Sequence, residues 1–176
     1  MKSPLISIII PVYNTGDMAV KLLNQLVKDP YDNLEIICID DGSSDDSFQL
    51  LSEFKRQLKL TGGKRKIVLI KQKNAGPAAA RNRALLEVRG ELVAFIDSDD
   101  TVSKNYLSEM SKLLLEEKAA VATSGFLYKR IHQKTKKEMF TNEIAEREEG
   151  EDFKAYVLKN LAKDGRLYAS VNKMFR

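Results

Sequence analysis

The sequence predicts an α/β fold with a mostly parallel central sheet. Three observations carry this. Apolar, β-branched runs recur at residues 5–10, 34–39, 67–70 and 92–96. Helical spacing of apolar residues fills each interval between them. Each run ends in polar residues and not in a hairpin turn, so the connections read as right-handed crossovers.

The elements follow in order. Residues 5–10 lie between Pro4 and Pro11 and read as a strand buried on both faces. Residues 11–16 form its exit loop, and Asp17 is a candidate cap for a helix whose inner face is Met18, Leu22, Leu26 and Val27. That helix runs to Lys28 and is stopped by Pro30. After the second strand, Ser44 or Asp45 caps a helix with Phe48, Leu51, Phe54 and Leu58 inward, ended by Gly62 and Gly63. The Gly-Gly-Lys triplet there lacks the rest of a phosphate loop and reads as a turn. After the third strand, Pro77 suits the first turn of a helix that runs through Ala84 and Val88 to Gly90. Following the fourth strand comes a helix holding Tyr106, Met110, Leu113 and Leu114, then a fifth strand over 119–127. The regular alternation weakens beyond it. Residues 129–137 are basic, include the only histidine, His132, and read as a solvated loop or edge hairpin. Phe153, Val157 and Leu161 mark a further helix, and 171–176 ends the chain in a strand-like run, as a cut through a fold would. The expected organisation is a core over 1–128 and the start of a second region over 129–176.

Bulk properties narrow the classes. A length of 176 residues supports one core of good size, and 43% hydrophobic with 31% charged residues is an ordinary globular composition. The net charge of +4 is mild; it suits a small anionic substrate or a nearby membrane surface, and no nucleic-acid partner is expected. The lone Cys38 sits inside an apolar run and reads as a buried structural thiol, so a disulfide framework is excluded and a reducing, cytoplasmic location is expected. No apolar run approaches a membrane span, and Pro11 and Asn14 break up the N-terminal one, so no secretory leader is expected.

The chemistry concentrates at strand exits. In parallel sheets ligands bind outside the carboxyl ends of the strands. The four exits carry Tyr13 and Asn14, then Asp40 and Asp41, then Asn74 and Gly76, then Asp97 and Asp99. Asp97, Asp99 and Asp100 crowd three carboxylates into four residues, which is costly without a positive neutraliser. A divalent cation holding a phosphate would neutralise them. In extended backbone Asp97 and Asp99 point to the same side, one to grip a metal and the other a ribose hydroxyl or a metal-bound water. The alternative for Asp99 and Asp100 is capping of the fourth helix, a task Ser103 could share. At the second exit, Gly42 permits a tight turn, Asp45 and Asp46 suit a helix first turn, and Asp41 is left to accept a hydrogen bond from a nucleotide base. Tyr13 is placed to stack on or flank that base. Arg81 stands about one turn inside its helix, where its guanidinium suits either Asp41 or a phosphate, with a surface ion pair as the alternative.

These motifs resemble glycosyltransferase family 2: Ser7 to Asn14, Asp40 to Asp45, Asn74-Ala75-Gly76 with Ala80-Arg81-Asn82, and Asp97 to Asp100 occur in order at fitting spacings over positions 5–110. The tail Asn172 to Arg176 resembles a later, looser pattern of the same family. The resemblance implies a three-layer, Rossmann-like GT-A fold, of which the chain carries the donor-binding part. It implies an inverting, hexosyltransferase-type enzyme using a nucleotide-diphospho-sugar donor, most often a UDP-sugar, with Mn2+ or Mg2+. It implies a saccharide or lipid-linked acceptor in cell-surface polysaccharide or glycolipid synthesis, with peripheral contact at the inner membrane face. By motif, Pro11, Tyr13 and Asp41 would line the nucleoside pocket, Asp97 would lie by the ribose and metal, and Asp99 would ligate the metal. The family's general base follows the tail pattern, so it is expected beyond Arg176 and turnover by this chain is expected to be weak or absent. Glu143, Glu148 and Asp152 are acidic, but no motif gives them that role.

Two rivals remain. Residues 95–102 resemble the nucleophile motif of haloacid-dehalogenase phosphatases, with Asp97 as nucleophile and Asp99 as acid/base, but that motif normally opens its fold and is followed by a further acidic pair not evident here. A sugar-nucleotide-binding module without turnover is the other. A dinucleotide-binding dehydrogenase is excluded, because no Gly-x-Gly-x-x-Gly follows the first strand.

Overall fold

The computed structural model describes residues 3–63, 65–118, 121–123, 126–131, 138–143 and 173–176. The elements are β1 (Ile6–Val12), α1 (Gly16–Val27), β2 (Leu34–Asp40), α2 (Ser47–Leu60), β3 (Lys66–Lys71), α3 (Pro77–Leu85), β4 (Leu92–Phe95), α4 (Tyr106–Glu116), β5 (Val121–Thr123), β6 (Phe126–Ile131), β7 (Glu138–Glu143) and β8 (Lys173–Phe175). They divide into two compact units, one of residues 1–122 with 174–176, the other of 123–173.

The first unit is built on a six-stranded sheet in the order β3-β2-β1-β4-β8-β5. β1 pairs in parallel with β2 and with β4, and β2 in parallel with β3. The β-branched runs alternate cleanly between faces. Ile8, Ile10, Ile36, Cys38 and Ala94 pack against Leu22, Leu23 and Leu26 of α1, Leu51 of α2 and Leu107, Met110 and Leu114 of α4. Ile9, Ile37 and Ile39 face the other way, onto Ala80 and Ala84 of α3. Each fully buried Ile or Leu contributes about 1.5–3 kcal/mol. Phe95 of β4 meets Phe175 of β8 edge to face, with ring centroids 5.7 Å apart.

Pro11 is informative. It lies in a central strand, where a missing N–H normally costs a ladder bond. Ile9 accepts from Ile96 on the β4 side, and Val12 accepts from Asp41 on the β2 side. Residues of a parallel strand bond alternately left and right, so Pro11 faces β4, and the β1–β4 pairing ends at Ile9 and Phe95. The next bond of that ladder would need an N–H at residue 11, so the proline ends the β1–β4 pairing there.

Several expectations change. The inner face of α1 is Ala19, Leu22, Leu23 and Leu26, with Met18 46% exposed. In α4 Leu107 is buried and Leu113 is exposed. Thr15, Asp46 and Asn105 occupy the N-cap positions of α1, α2 and α4, in place of Asp17, of Ser44 or Asp45, and of Ser103, Asp99 or Asp100. Asp45 still serves α2 from one residue earlier, because its carboxylate accepts from the Ser47 N–H at 3.0 Å. At α4, buried Asp29 accepts from the Leu107 N–H at 3.5 Å. α3 ends at Leu85, short of Val88. The single strand expected over 119–127 is instead β5 and the beginning of β6.

In the second unit β6 and β7 form an antiparallel hairpin, Phe126 opposite Glu143 and Ile131 opposite Glu138. The hairpin alternative for the basic stretch thus holds over 129–131. His132, the rest of that stretch, Glu148, Asp152 and the expected helix at Phe153, Val157 and Leu161 lie outside the described residues. Among the described residues, no helix is long and apolar enough to cross a membrane.

Candidate functional site

The strand order makes β1 the turning point of the sheet. The chain steps outward from β1 to β2 to β3, then returns to β4 on the opposite side of β1. The crevice between the exits of β1 and β4 is the position where open α/β sheets bind ligands. A cleft of about 480 Å³ lies there, lined by Pro11, Val12, Tyr13, Thr15, Asp41, Asn74, Gly76, Pro77, Arg81, Asp97, Ser98 and Asp99. Of the nine site residues expected from sequence, the fold brings Pro11, Tyr13, Asp41, Asn74, Gly76, Arg81, Asp97 and Asp99 to this cleft.

Asn14 is outside that lining. It adopts φ 53° and its Oδ1 accepts from the Ser44 N–H at 2.9 Å and the Ser44 hydroxyl at 3.3 Å. Its own N–H donates to Ser43 Oγ at 3.0 Å. Asn14 therefore ties the β1 exit to the β2 exit, and its amide oxygen is occupied by Ser44.

Asp41 is only 3% exposed, and its carboxylate is already engaged. Oδ1 accepts from Gln72 Nε2 at 2.7 Å and the Ala75 N–H at 2.9 Å, and Oδ2 accepts from the Gly76 N–H at 2.8 Å. Asp41 thus clamps the β3 exit loop, and its carboxylate keeps acceptor capacity for about one further bond. Asp40 is fully buried, with Oδ1 accepting from the Ser43 N–H and Oδ2 3.7 Å from Lys71 Nζ. Both acidic residues at the β2 exit are thus committed within the protein.

The β4 exit differs. The backbone turns at once, the Asp100 N–H donating to the Asp97 carbonyl at 3.1 Å, so the extended stretch expected there is a turn. Asp97 and Asp99 both reach the cleft. Arg81 Nη2 meets Asp97 Oδ1 at 2.5 Å, so the ion pair that Arg81 forms is a partly exposed one with Asp97 and not with Asp41. Its buried Nε has no hydrogen-bond partner. Buried Ser98 shares a hydroxyl–hydroxyl bond with Thr15 at 2.7 Å, joining the exits of β1 and β4. Thr15 also donates its N–H to Ser47 Oγ at 3.1 Å. Asp100 shows the crowding of charge: burial, and then the carboxylates of Asp97 and Asp99, push its pKa up to about 6.

Among the described residues, no cluster of three or more His, Cys, Asp or Glu could hold a metal ion. What remains is the hard-oxygen pair Asp97 and Asp99 beside a cleft of excess negative charge. That donor set suits Mg2+ or Mn2+ bound through one or two carboxylates and completed by substrate phosphates. Cys38 is buried, and burial pushes its thiol up to about 12, so it is an inert core group.

Sequence reasoning missed Thr15, Ser98 and Gln72. Ser98 lies inside a recognised motif and Thr15 directly after one, and they act through a hydroxyl contact between strand exits far apart in the chain. Gln72 carries no periodic or motif signal.

Comparison with known proteins gives the family and the fold. Glycosyltransferase GlyA of Streptococcus pneumoniae is 35% identical over 121 residues, 69% of this chain and 16% of its own length. The crystal structure of residues 1–349 of TarS, whose Staphylococcus aureus sequence is named poly(ribitol-phosphate) beta-N-acetylglucosaminyltransferase, matches with a TM-score of 0.58 and 30% identity. The match covers 66% of this chain and 34% of that one. TarS has also been solved with UDP and with UDP-GlcNAc, at 29% and 31% identity. The mannosyltransferase PcManGT of Pyrobaculum calidifontis, in complex with GDP-Man and Mn2+, shares the fold with a TM-score of 0.61 at 21% identity, over 70% of this chain and 36% of that one. The chain thus spans less than half the length of each of these relatives. The sequence pattern of glycosyl transferase family 2 matches residues 7–175, and the chain belongs to that family.

Proposed function

We propose that the cleft binds a nucleotide-diphospho-sugar, a UDP-sugar first, for transfer of the sugar to an acceptor hydroxyl with inversion. The single observation that carries this is the meeting of four strand exits in one cleft, lined together by the half-exposed Tyr13, the carboxylates of Asp41, Asp97 and Asp99 and the guanidinium of Arg81. Tyr13, half exposed, flanks the base. Asp41 accepts the base N–H with its remaining lone pair. Asp97 takes a ribose hydroxyl, and Arg81, bound to Asp97, stands within the cleft as the counter-charge to the diphosphate. The complexes of TarS with UDP and UDP-GlcNAc support the choice of uridine nucleotide.

Asp99 with Asp97 would hold a divalent cation, which when bound supplies charge neutralisation for the leaving diphosphate. In the transfer, the acceptor oxygen forms a bond to the anomeric carbon from the face opposite the diphosphate. The carbon–oxygen bond to the diphosphate breaks, the nucleoside diphosphate departs, and the hydroxyl proton passes to a carboxylate base. No residue of this chain is assigned that base, so the proposal for this chain rests on donor binding. Acceptor, linkage and a place in surface polysaccharide synthesis follow only by likeness to relatives such as TarS.

The test is calorimetric titration of UDP with and without Mn2+. Metal-dependent binding is expected in the parent. Asp99→Asn should remove the metal-dependent part and leave the melting temperature unchanged, because Asp99 is exposed. Tight UDP binding that ignores both Mn2+ and the substitution would overturn the assignment.

A further inference from the structure

We infer that Gln72 is a positioning residue that sets nucleobase selectivity by fixing the carboxylate of Asp41. The inference deepens the donor-site reading and rests on it. It starts from hydrogen-bond arithmetic. A carboxylate accepts about four hydrogen bonds, two at each oxygen. Asp41 Oδ1 is filled by the Gln72 amide at 2.7 Å and the Ala75 N–H at 2.9 Å. Oδ2 holds the Gly76 N–H at 2.8 Å and has one lone pair left. The carboxylate therefore offers the cleft a single acceptor, on a defined atom.

Gln72 is held in place for this task. Its backbone N–H donates to the Asp40 carbonyl at 2.9 Å, extending the β2–β3 ladder one residue beyond the strand. The Asp41 N–H in turn donates to the Val12 carbonyl at 2.8 Å. Gln72 and Asp41 thus stand on neighbouring strand exits locked by the same sheet. The contact is the one side-chain donor in the set of three; the other two come from the loop that Asp41 itself holds. Without Gln72, Oδ1 regains a lone pair and the carboxylate can rotate away from the loop amides.

The chemistry that results is selective. A pyrimidine with a ring N–H, as in uracil, donates to the one remaining acceptor. Cytosine presents a ring nitrogen lone pair at the corresponding position and is repelled by the carboxylate. The discrimination depends on Asp41 being fixed, because a mobile carboxylate can turn aside from the wrong base.

The experiment measures UDP and CDP affinities, each with Mn2+, for the parent, Gln72→Met and Gln72→Glu, alongside thermal melting. In the parent UDP binds more tightly than CDP. Gln72→Met keeps the side-chain length and removes the donor; UDP binding weakens about tenfold, CDP binding stays the same or strengthens as the freed carboxylate turns aside, and the ratio between them falls at least about tenfold. Gln72→Glu sets a second carboxylate against Asp41 and weakens UDP further than Met does, although it is closer in shape to Gln. A role confined to loop stability would instead lower UDP, CDP and melting temperature together, and that result overturns the inference. Equal affinities for UDP and CDP in the parent, or a Gln72→Met protein with the parent's ratio, overturn it too while leaving the donor reading intact. A parent that binds neither nucleotide overturns both.

Discussion

Asp41 and Gly42 adjoin in sequence and serve the same loop in different ways. Asp41 holds it by accepting hydrogen bonds from Ala75 and Gly76, whereas Gly42 makes room for it. Gly42 has φ 74°, and a Cβ placed there would stand 2.7 Å from the Asn74 backbone nitrogen. Gly76 also has a positive φ, 90°, but its surroundings are open. The two glycines therefore separate conformational strain from steric conflict. Gly76, at φ 90° and ψ 162°, lies in the extended positive-φ region that is essentially reserved for glycine, so Gly76→Ala should cost only that backbone penalty, about 1–3 kcal/mol. Gly42→Ala carries a positive-φ penalty and must also displace backbone at Asn74, so a loss of about 3 kcal/mol or more is expected from urea unfolding. It should also weaken UDP binding, because Asn74 and Gly76 line the cleft. Equal losses from the two substitutions would show that the loop yields without resistance.

At the scale of elements, a buried ionic network staples the opposite end of the sheet. Glu35 of β2 is 2% exposed and accepts from Ser7 of β1 at 2.7 Å, from Lys66 of β3 at 2.8 Å and from the Arg89 N–H ahead of β4 at 2.9 Å. Burial alone would raise its pKa; the bonds from Lys66, Ser7 and Arg89 outweigh that and hold it below the ordinary glutamate value. A depressed carboxylate contributes stability that is complete above its unfolded pKa, near 4.3, and is lost as pH falls through the lower folded value. Glu35→Gln keeps the shape and removes the charge, so at pH 7 it should cost about 1.5–3 kcal/mol. The gap between parent and variant should narrow as urea midpoints are taken from pH 7 down to pH 3. A constant gap would mean that the charge of Glu35 does not matter.

The same elements show what the sequence made legible. The runs at 5–10 and 34–39 are β-branched on every face, and only a strand covered on both sides satisfies them. The strand exits followed, which is why eight expected site residues share one cleft. Faces and caps were harder. Met18 and Ala19 are both apolar, and only packing against the sheet selects Ala19. Caps depend on where the backbone turns, and Asp17, Asp45 and Ser103 are each displaced from the position expected of them. The partner of Arg81 was illegible for another reason: Asp41 offered an equally suitable carboxylate, and its prior engagement by loop amides is a tertiary fact.

For the whole molecule, the sheet is unevenly supported, and stability should follow that unevenness. β1 is bonded on both sides and all seven of its residues are buried, as are those of β2. One face carries α1, α2 and α4, whereas the other has Ile9, Ile37 and Ile39 against the small Ala80 and Ala84 of the nine-residue α3. β3 is an edge strand whose ends, Lys66 and Lys71, are exposed and whose Val68, Leu69 and Ile70 are only half-buried. Charged ends of this kind discourage edge-to-edge pairing but add little burial. Local opening is therefore cheapest at β3 and α3 and dearest at the β1–β2 centre. Native-state hydrogen exchange should place the bonded amides of β1 and β2 at the global unfolding limit. Those of β3 and α3 should open at least about 2 kcal/mol sooner. Because Gln72, Asn74 and Gly76 hang from that same β3 exit, UDP with Mn2+ should raise protection in β3 and α3 far more than in β1. Uniform protection across the sheet without nucleotide would mean that the thin face costs nothing, and that the cleft wall is as firm as the core behind it.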